Sequence, residues 1–155
     1  MLNGAIIKKD EAAIERAVIS ASAALGYASL KDKQKVVITQ FVFGRDVFAA
    51  LPTGYGKSLC YGCMPRVYDD LRSTSGSIVM VVSPLSALMK DQVESFKMRG
   101  VSVAMVTSES DAESVRMKSG VLEGKYQLVF ISPELLIGRE NFDACVKMKS
   151  IQKDW

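Results

Sequence analysis

Hydrophobic positions along the chain follow two alternating rhythms. Over residues 10–25 the apolar side chains Ala12, Ala13, Ile14, Ala17, Val18, Ala21, Ala24 and Leu25 return every three to four positions, and Gly26 follows. That spacing predicts a helix with a stop signal. A second helix is predicted over 32–43, with Asp32 as its N-cap and Gly44 at its end. Residues 47–51 (Val-Phe-Ala-Ala-Leu) form an unbroken apolar run closed by Pro52, which predicts a buried strand. A helix over 57–71 and a Ser/Thr/Gly loop over 73–77 come next. The alternation then repeats. It predicts a strand over 78–82 closed by Ser83-Pro84, a helix over 85–99, a strand over 101–106, a polar helix over 111–123, a strand over 128–131 closed by Ser132-Pro133, and a helix over 140–151.

These strands are apolar throughout instead of alternating, as expected where both faces of a sheet are covered. The pattern predicts one α/β domain with a mainly parallel sheet between helices. Ligands of such sheets gather at the carboxyl ends of the strands. A length of 155 residues, 48% of them apolar, suits a single domain with its own core. Apolar runs are only a few residues long, so no membrane-spanning helix is expected, and the first ten residues lack the apolar stretch of an export signal. Twenty Lys and Arg against seventeen Asp and Glu make the chain weakly basic, which permits a nucleic-acid partner without requiring one. With no histidine, imidazole catalysis and ligation are excluded within the chain. Its three cysteines read as reduced thiols of an intracellular protein. Cys60 and Cys63 form a Cys-x-x-Cys, but only Cys145 remains to help them, too few for a four-ligand zinc site. The pair is expected to be two small apolar residues on one helix.

Candidate chemistry begins at Leu51-Pro52-Thr53-Gly54-Tyr55-Gly56-Lys57-Ser58, between a predicted strand and a predicted helix. The pattern Gly-x-x-x-x-Gly-Lys-Ser/Thr is met at Gly56, Lys57 and Ser58, while Leu51 stands at its first glycine. Gly54 and Gly56 let the backbone curl so that successive N–H groups face an anion, and the helix start adds its positive end. Lys57 would reach the outer phosphates, and the Ser58 hydroxyl would serve Mg²⁺. By itself such a loop does not separate kinases, GTPases, ATPases and helicases. A glycine-rich turn with a solvated lysine and a capping serine is the simpler alternative.

Further segments narrow the choice. Pro52-Thr53-Gly54-Tyr55-Gly56-Lys57-Ser58-Leu59-Cys60-Tyr61 resembles the first helicase motif of the RecQ family of superfamily 2 DNA helicases. Leu25-Gly26-Tyr27-Ala28-Ser29-Leu30-Lys31-Asp32-Lys33-Gln34 resembles the adenine motif that precedes it there, with Leu30 and Lys31 where the family usually has Phe and Arg. Val82-Ser83-Pro84-Leu85-Ser86-Ala87-Leu88-Met89-Lys90-Asp91-Gln92-Val93 is similar to motif Ia, which other phosphate-loop proteins lack. Gly44-Arg45-Asp46 matches as a structural turn, and Thr107-Ser108 and Ser132-Pro133-Glu134 resemble later DNA-contacting turns. The likeness covers roughly residues 20–140.

This resemblance implies a three-layer P-loop NTPase (RecA-like) fold, with ATP and Mg²⁺ as cofactors and DNA as partner. Tyr27, Lys31 and Gln34 would meet adenine, where a glutamine amide can both donate and accept. Thr53, Gly54, Tyr55, Gly56, Lys57 and Ser58 would hold phosphates, with Lys57 catalytic and Ser58 on the metal. Ser83, Ser86 and Lys90 would contact the strand's phosphates. The family continues into a strand ending in Asp-Glu-x-His, whereas the only Asp-Glu here is Asp10-Glu11. The expectation is therefore a first RecA-like domain truncated before that strand, belonging to an ATP-dependent 3′–5′ DNA helicase that acts on single strands and duplex junctions. That helicase would have a second RecA-like domain and sit in the nucleus if eukaryotic or the cytoplasm if bacterial. This chain alone is expected to bind ATP and DNA with little hydrolysis and no unwinding, and to be marginally stable because its sheet edge is open. The alternatives are a non-enzymatic ATP- and DNA-binding module and an unrelated phosphate-loop kinase or GTPase.

Overall fold

The computed structural model describes residues 10–84, 86–108 and 112–137. The predicted helix over 140–151 lies outside them. The described residues divide into two compact units, one ending at Ser77 and the other starting at Ile78.

The first unit holds α1 (Glu11–Ala24), α2 (Asp32–Val42), α3 (Lys57–Gly62) and α4 (Met64–Arg72). α1 begins at Asp10, whose carboxylate accepts from the Ala12 N–H at 3.1 Å. It buries Ile14, Ala17, Val18 and Ala21 and packs on α4 and α2. The cap of α2 is Lys31, one residue before the expected Asp32. The Lys31 N–H is satisfied by the Gln34 side chain, which accepts it at 2.8 Å in half of a capping box. Asp32 becomes the first helical residue, where its charge suits the helix dipole. The single helix expected over 57–71 is divided at Cys63 into α3 and α4. Pro65 explains the break, because it has no N–H to return to the preceding turn and is tolerated only at a helix start.

The strand expected over 47–51 does not form. These residues run without regular structure, Ala49 and Ala50 are exposed, and Phe48 is 97% exposed. A strand's backbone groups are satisfied only by a neighbour, and no described strand pairs with this segment. The turn before it does form: the Arg45 N–H and guanidinium both donate to Gln40, through its carbonyl and its side chain.

In the second unit, β1 (Val79–Val82), α5 (Ser86–Met98), β2 (Val103–Val106), α6 (Ala112–Leu122), β3 (Leu128–Ile131) and α7 (Pro133–Ile137) alternate. The three strands are parallel in the order β1-β3-β2, with Leu128 opposite both Val79 and Val103. This is the α/β arrangement that the continuous apolar runs predict. All four residues of central β3 are buried, while β1, at an edge, is partly open with Val82 48% exposed. α5 buries Met89, Val93 and Phe96 at helical spacing, and the Phe96 ring lies 6.4 Å from that of Phe130. Ala104, Val106, Val121, Val129, Ile131 and Leu135 form a second apolar cluster, with Tyr126 packed against it.

Two features of these cores lead to tests. A Cβ on Gly120 in α6 would come within 2.8 Å of the Tyr126 ring. Gly120→Ala therefore lowers stability by about 1 kcal/mol, because overpacking outweighs the gain in helix propensity; chemical denaturation of the variant measures it. In the helical unit Cys60 and Cys63 are buried free thiols. Burial pushes the Cys63 thiol from 9.0 up to about 12, and the neighbouring Cys60 adds to the rise. The folded state thus retains a proton that the unfolded chain releases above about pH 9. Stability is complete below that pH and falls between there and about 12, and Cys63→Ala flattens this fall in a pH series of melting curves.

Candidate functional site

The loop between residue 51 and α3 is shaped by two left-handed glycines, Gly54 at φ +78° and Gly56 at φ +88°. Other residues adopt these angles only at a cost. The Tyr55 N–H donates to the Pro52 carbonyl at 3.1 Å, which closes the turn. The first bond of α3 runs from the Leu59 N–H to the Gly56 carbonyl at 3.1 Å, so the N–H groups of Lys57 and Ser58 precede the helical ladder. Thr53, Gly54 and Lys57 are exposed, while Tyr55, Gly56 and Ser58 are half-buried. Backbone N–H groups, the Lys57 ammonium and the Ser58 hydroxyl make a donor set that fits polyphosphate, with that hydroxyl available to a hard cation.

Gln34 supports this loop. It is 2% exposed, and its amide nitrogen donates to the carbonyls of Tyr55 at 3.0 Å and Gly56 at 2.8 Å. Its oxygen accepts from the Lys31 N–H at 2.8 Å. The Lys31 ammonium in turn lies 4.5 Å from the centre of the Tyr55 ring. Tyr27 is half-buried in the turn that leaves α1, its N–H donating to the Ser22 carbonyl at 3.0 Å. The structure thus brings Lys31 and Gln34 to the candidate phosphate loop itself. Sequence reasoning did not anticipate that contact. The spacing Lys31-x-x-Gln34 signals the local cap, but the bonds to residues 55 and 56 span more than twenty positions.

A second set of polar groups lies in the other unit, along the carboxyl edge of the sheet. Val82 and Val106 are both in register with Ile131. Ser83, Thr107 and Ser132, the next residues of the three strands, therefore follow at one edge. The Ser83 N–H donates to the Ile131 carbonyl at 3.1 Å, so the sheet already uses that donor and the hydroxyl is what the residue can offer. Ser86 is the first residue of α5, and Lys90 lies about one turn further, exposed. Pro133 and Glu134 open α7, whose Leu135 N–H donates to the Ser132 carbonyl at 3.2 Å. Hydroxyls at strand ends and a cation one turn into α5 suit phosphate contacts without base readout. Among the described residues there is no group of three Cys, Asp or Glu placed to hold a metal, and no helix long and apolar enough to cross a membrane.

Residues 31–151 match the protein family described as DEAD/DEAH box helicase. The ATP-dependent DNA helicase RecQ of Haemophilus influenzae is 31% identical over 118 residues, 76% of this chain and 18% of that protein. The ATP-dependent helicase SGS1 of Saccharomyces cerevisiae is 40% identical over 98 residues, 63% of this chain and 7% of that protein. The probable ATP-dependent DNA helicase RecS of Bacillus subtilis is 37% identical over 113 residues, 72% of this chain and 21% of that protein. The matched stretch is thus a small part of each relative's length.

The loop's dependence on a missing side chain is open to test. A Cβ on Gly56 would stand 2.7 Å from the Gln34 amide nitrogen, at a φ that disfavours any side chain. Gly56→Ala destabilises the chain by about 1–3 kcal/mol. Gly54→Ala, where nothing lies within 4 Å of the added carbon, costs less because only its φ is strained. Urea denaturation of the two variants side by side gives the comparison.

Proposed function

This chain belongs to the DEAD/DEAH box helicase family and is similar to RecQ-type helicases, and from that premise we propose that it forms part of a first RecA-like domain that binds Mg·ATP and single-stranded DNA. The observation that carries this reading is the doubly left-handed loop ending in exposed Lys57. Its amide groups and the Lys57 ammonium hold the β- and γ-phosphates, and the Ser58 hydroxyl holds Mg²⁺. When bound, the metal spreads the negative charge of those phosphates. Lys57 stabilises the charge that grows on the transferred phosphoryl group. Tyr27 and Lys31 serve the adenine side, as does the Gln34 oxygen, which keeps a second lone pair for the amino group of the base, while Ser83, Ser86 and Lys90 contact DNA phosphates.

In the whole protein these groups would drive 3′–5′ movement along one strand of DNA, opening duplexes from single strands and junctions. A second RecA-like domain would close on the nucleotide. The 155 residues hold no histidine and therefore no Asp-Glu-x-His. That feature favours binding with little turnover by this chain itself, as a non-enzymatic module would show.

Titration calorimetry and an ATPase assay with and without single-stranded DNA test both parts. Mg·ATP binds the wild-type chain, and Lys57→Ala weakens it by roughly ten- to a hundredfold, the size of a lost charged hydrogen bond. Turnover stays near background in both. Absence of ATP binding by the folded chain contradicts the phosphate-site reading, and robust Lys57-dependent turnover contradicts the expected inactivity.

A further inference from the structure

Gln34 uses both of its amide N–H groups on the phosphate loop, donating to the carbonyls of Tyr55 and Gly56. In this arrangement it has no N–H left for a base. What it does to the loop follows from the trans peptide, in which the C=O and the following N–H point in opposite directions across one plane. Drawing the Tyr55 carbonyl toward Gln34 turns the Gly56 N–H away from it. Drawing the Gly56 carbonyl the same way turns the Lys57 N–H away. One buried side chain thereby aims two successive amide N–H groups toward the side of the loop opposite Gln34. Two such groups side by side form an anion-binding concavity. Gly56 cannot carry a side chain without displacing this amide, whose nitrogen would be 2.7 Å from the added carbon.

Lys31 reinforces the arrangement from two directions. Its N–H fixes the Gln34 oxygen at 2.8 Å, leaving the nitrogen to face the loop. Its ammonium covers the Tyr55 ring at 4.5 Å, holding the residue whose carbonyl Gln34 binds.

We infer that Lys31, Gln34 and Tyr55 are positioning residues for the polyphosphate: a strut that sets the amides of the phosphate loop before any base is bound. The inference rests on the proposal that this loop binds phosphate, and it adds an action of Lys31 and Gln34 at the opposite end of the nucleotide from adenine. A ligand without a base separates the two actions. Residues that serve only adenine do not affect the binding of inorganic tripolyphosphate, whereas a strut affects tripolyphosphate and ATP alike.

Calorimetric titration of the 155-residue chain with Mg-tripolyphosphate and with Mg·ATP reads this directly. Gln34→Glu keeps the side chain's size and its acceptor for Lys31 but sets an oxygen against the two loop carbonyls. It is expected to weaken both ligands roughly tenfold. Tyr55→Leu keeps the lysine charge and removes the ring, and is expected to weaken both roughly two- to fivefold, with Tyr55→Phe restoring wild-type affinity. Melting curves check that each variant is folded. Should Gln34→Glu fail to fold, the Tyr55→Leu and Tyr55→Phe pair carries the test alone, since Tyr55 is half-buried at the loop. Wild-type tripolyphosphate affinity in the folded variants, with or without weakened ATP binding, overturns the strut. If wild-type protein and Lys57→Ala both leave tripolyphosphate unbound, the phosphate-site reading itself fails and the strut falls with it.

Discussion

The satisfaction of one buried amide organises the candidate nucleotide site. A glutamine side chain taken out of water must place both donors and its acceptor, or lose about 1–3 kcal/mol for each polar group left unpaired. Gln34 does so with the Lys31 N–H and two loop carbonyls. The same three bonds cap α2, orient consecutive peptide planes in the loop and explain why residue 56 is a glycine. Helix start and glycine-rich loop are thereby joined through a single residue.

A different constraint governs the second unit. Parallel strands exchange hydrogen bonds in register, so whatever follows the last residue of each strand arrives at a common edge. β1, β3 and β2 end level with one another at Val82, Ile131 and Val106. Short polar residues follow all three: Ser83, Ser132 and Thr107. The apolar strands and the hydroxyl edge are two consequences of one alignment, the first securing the core and the second providing a surface suited to a phosphate backbone. Ser83 also shows what the alignment takes away, since its N–H belongs to the ladder and only its hydroxyl is left to offer.

Residues 47–51 have the composition of a buried strand but are not one. Composition describes which surface a segment could bury, whereas strand formation needs a second backbone at the right distance. Leu128–Ile131, equally apolar, has a neighbour on each side and is fully buried. Phe48, without a ladder partner among the described residues, stands in solvent. Pro65 makes the complementary point for helices: apolar spacing ran through it, and the missing N–H divided the helix at Cys63 all the same.

Local interactions account for what the sequence determined unaided. Helical periodicity located α1, α2 and α5, and short unbroken apolar runs located β1 and β3. Gly54 and Gly56 marked a backbone curl, and the order of motifs pointed to the helicase family. The periodicity, the runs and the curl each depend on residues within a turn or two of one another, where spacing is a reliable guide to geometry, and the order of motifs is read along the chain without any contact between them. Tertiary structure alone decided the strand order β1-β3-β2, the absence of a ladder at 47–51, and the destination of the Gln34 amide. Those outcomes depend on contacts between residues twenty or more positions apart, and periodicity has no term for such a distance.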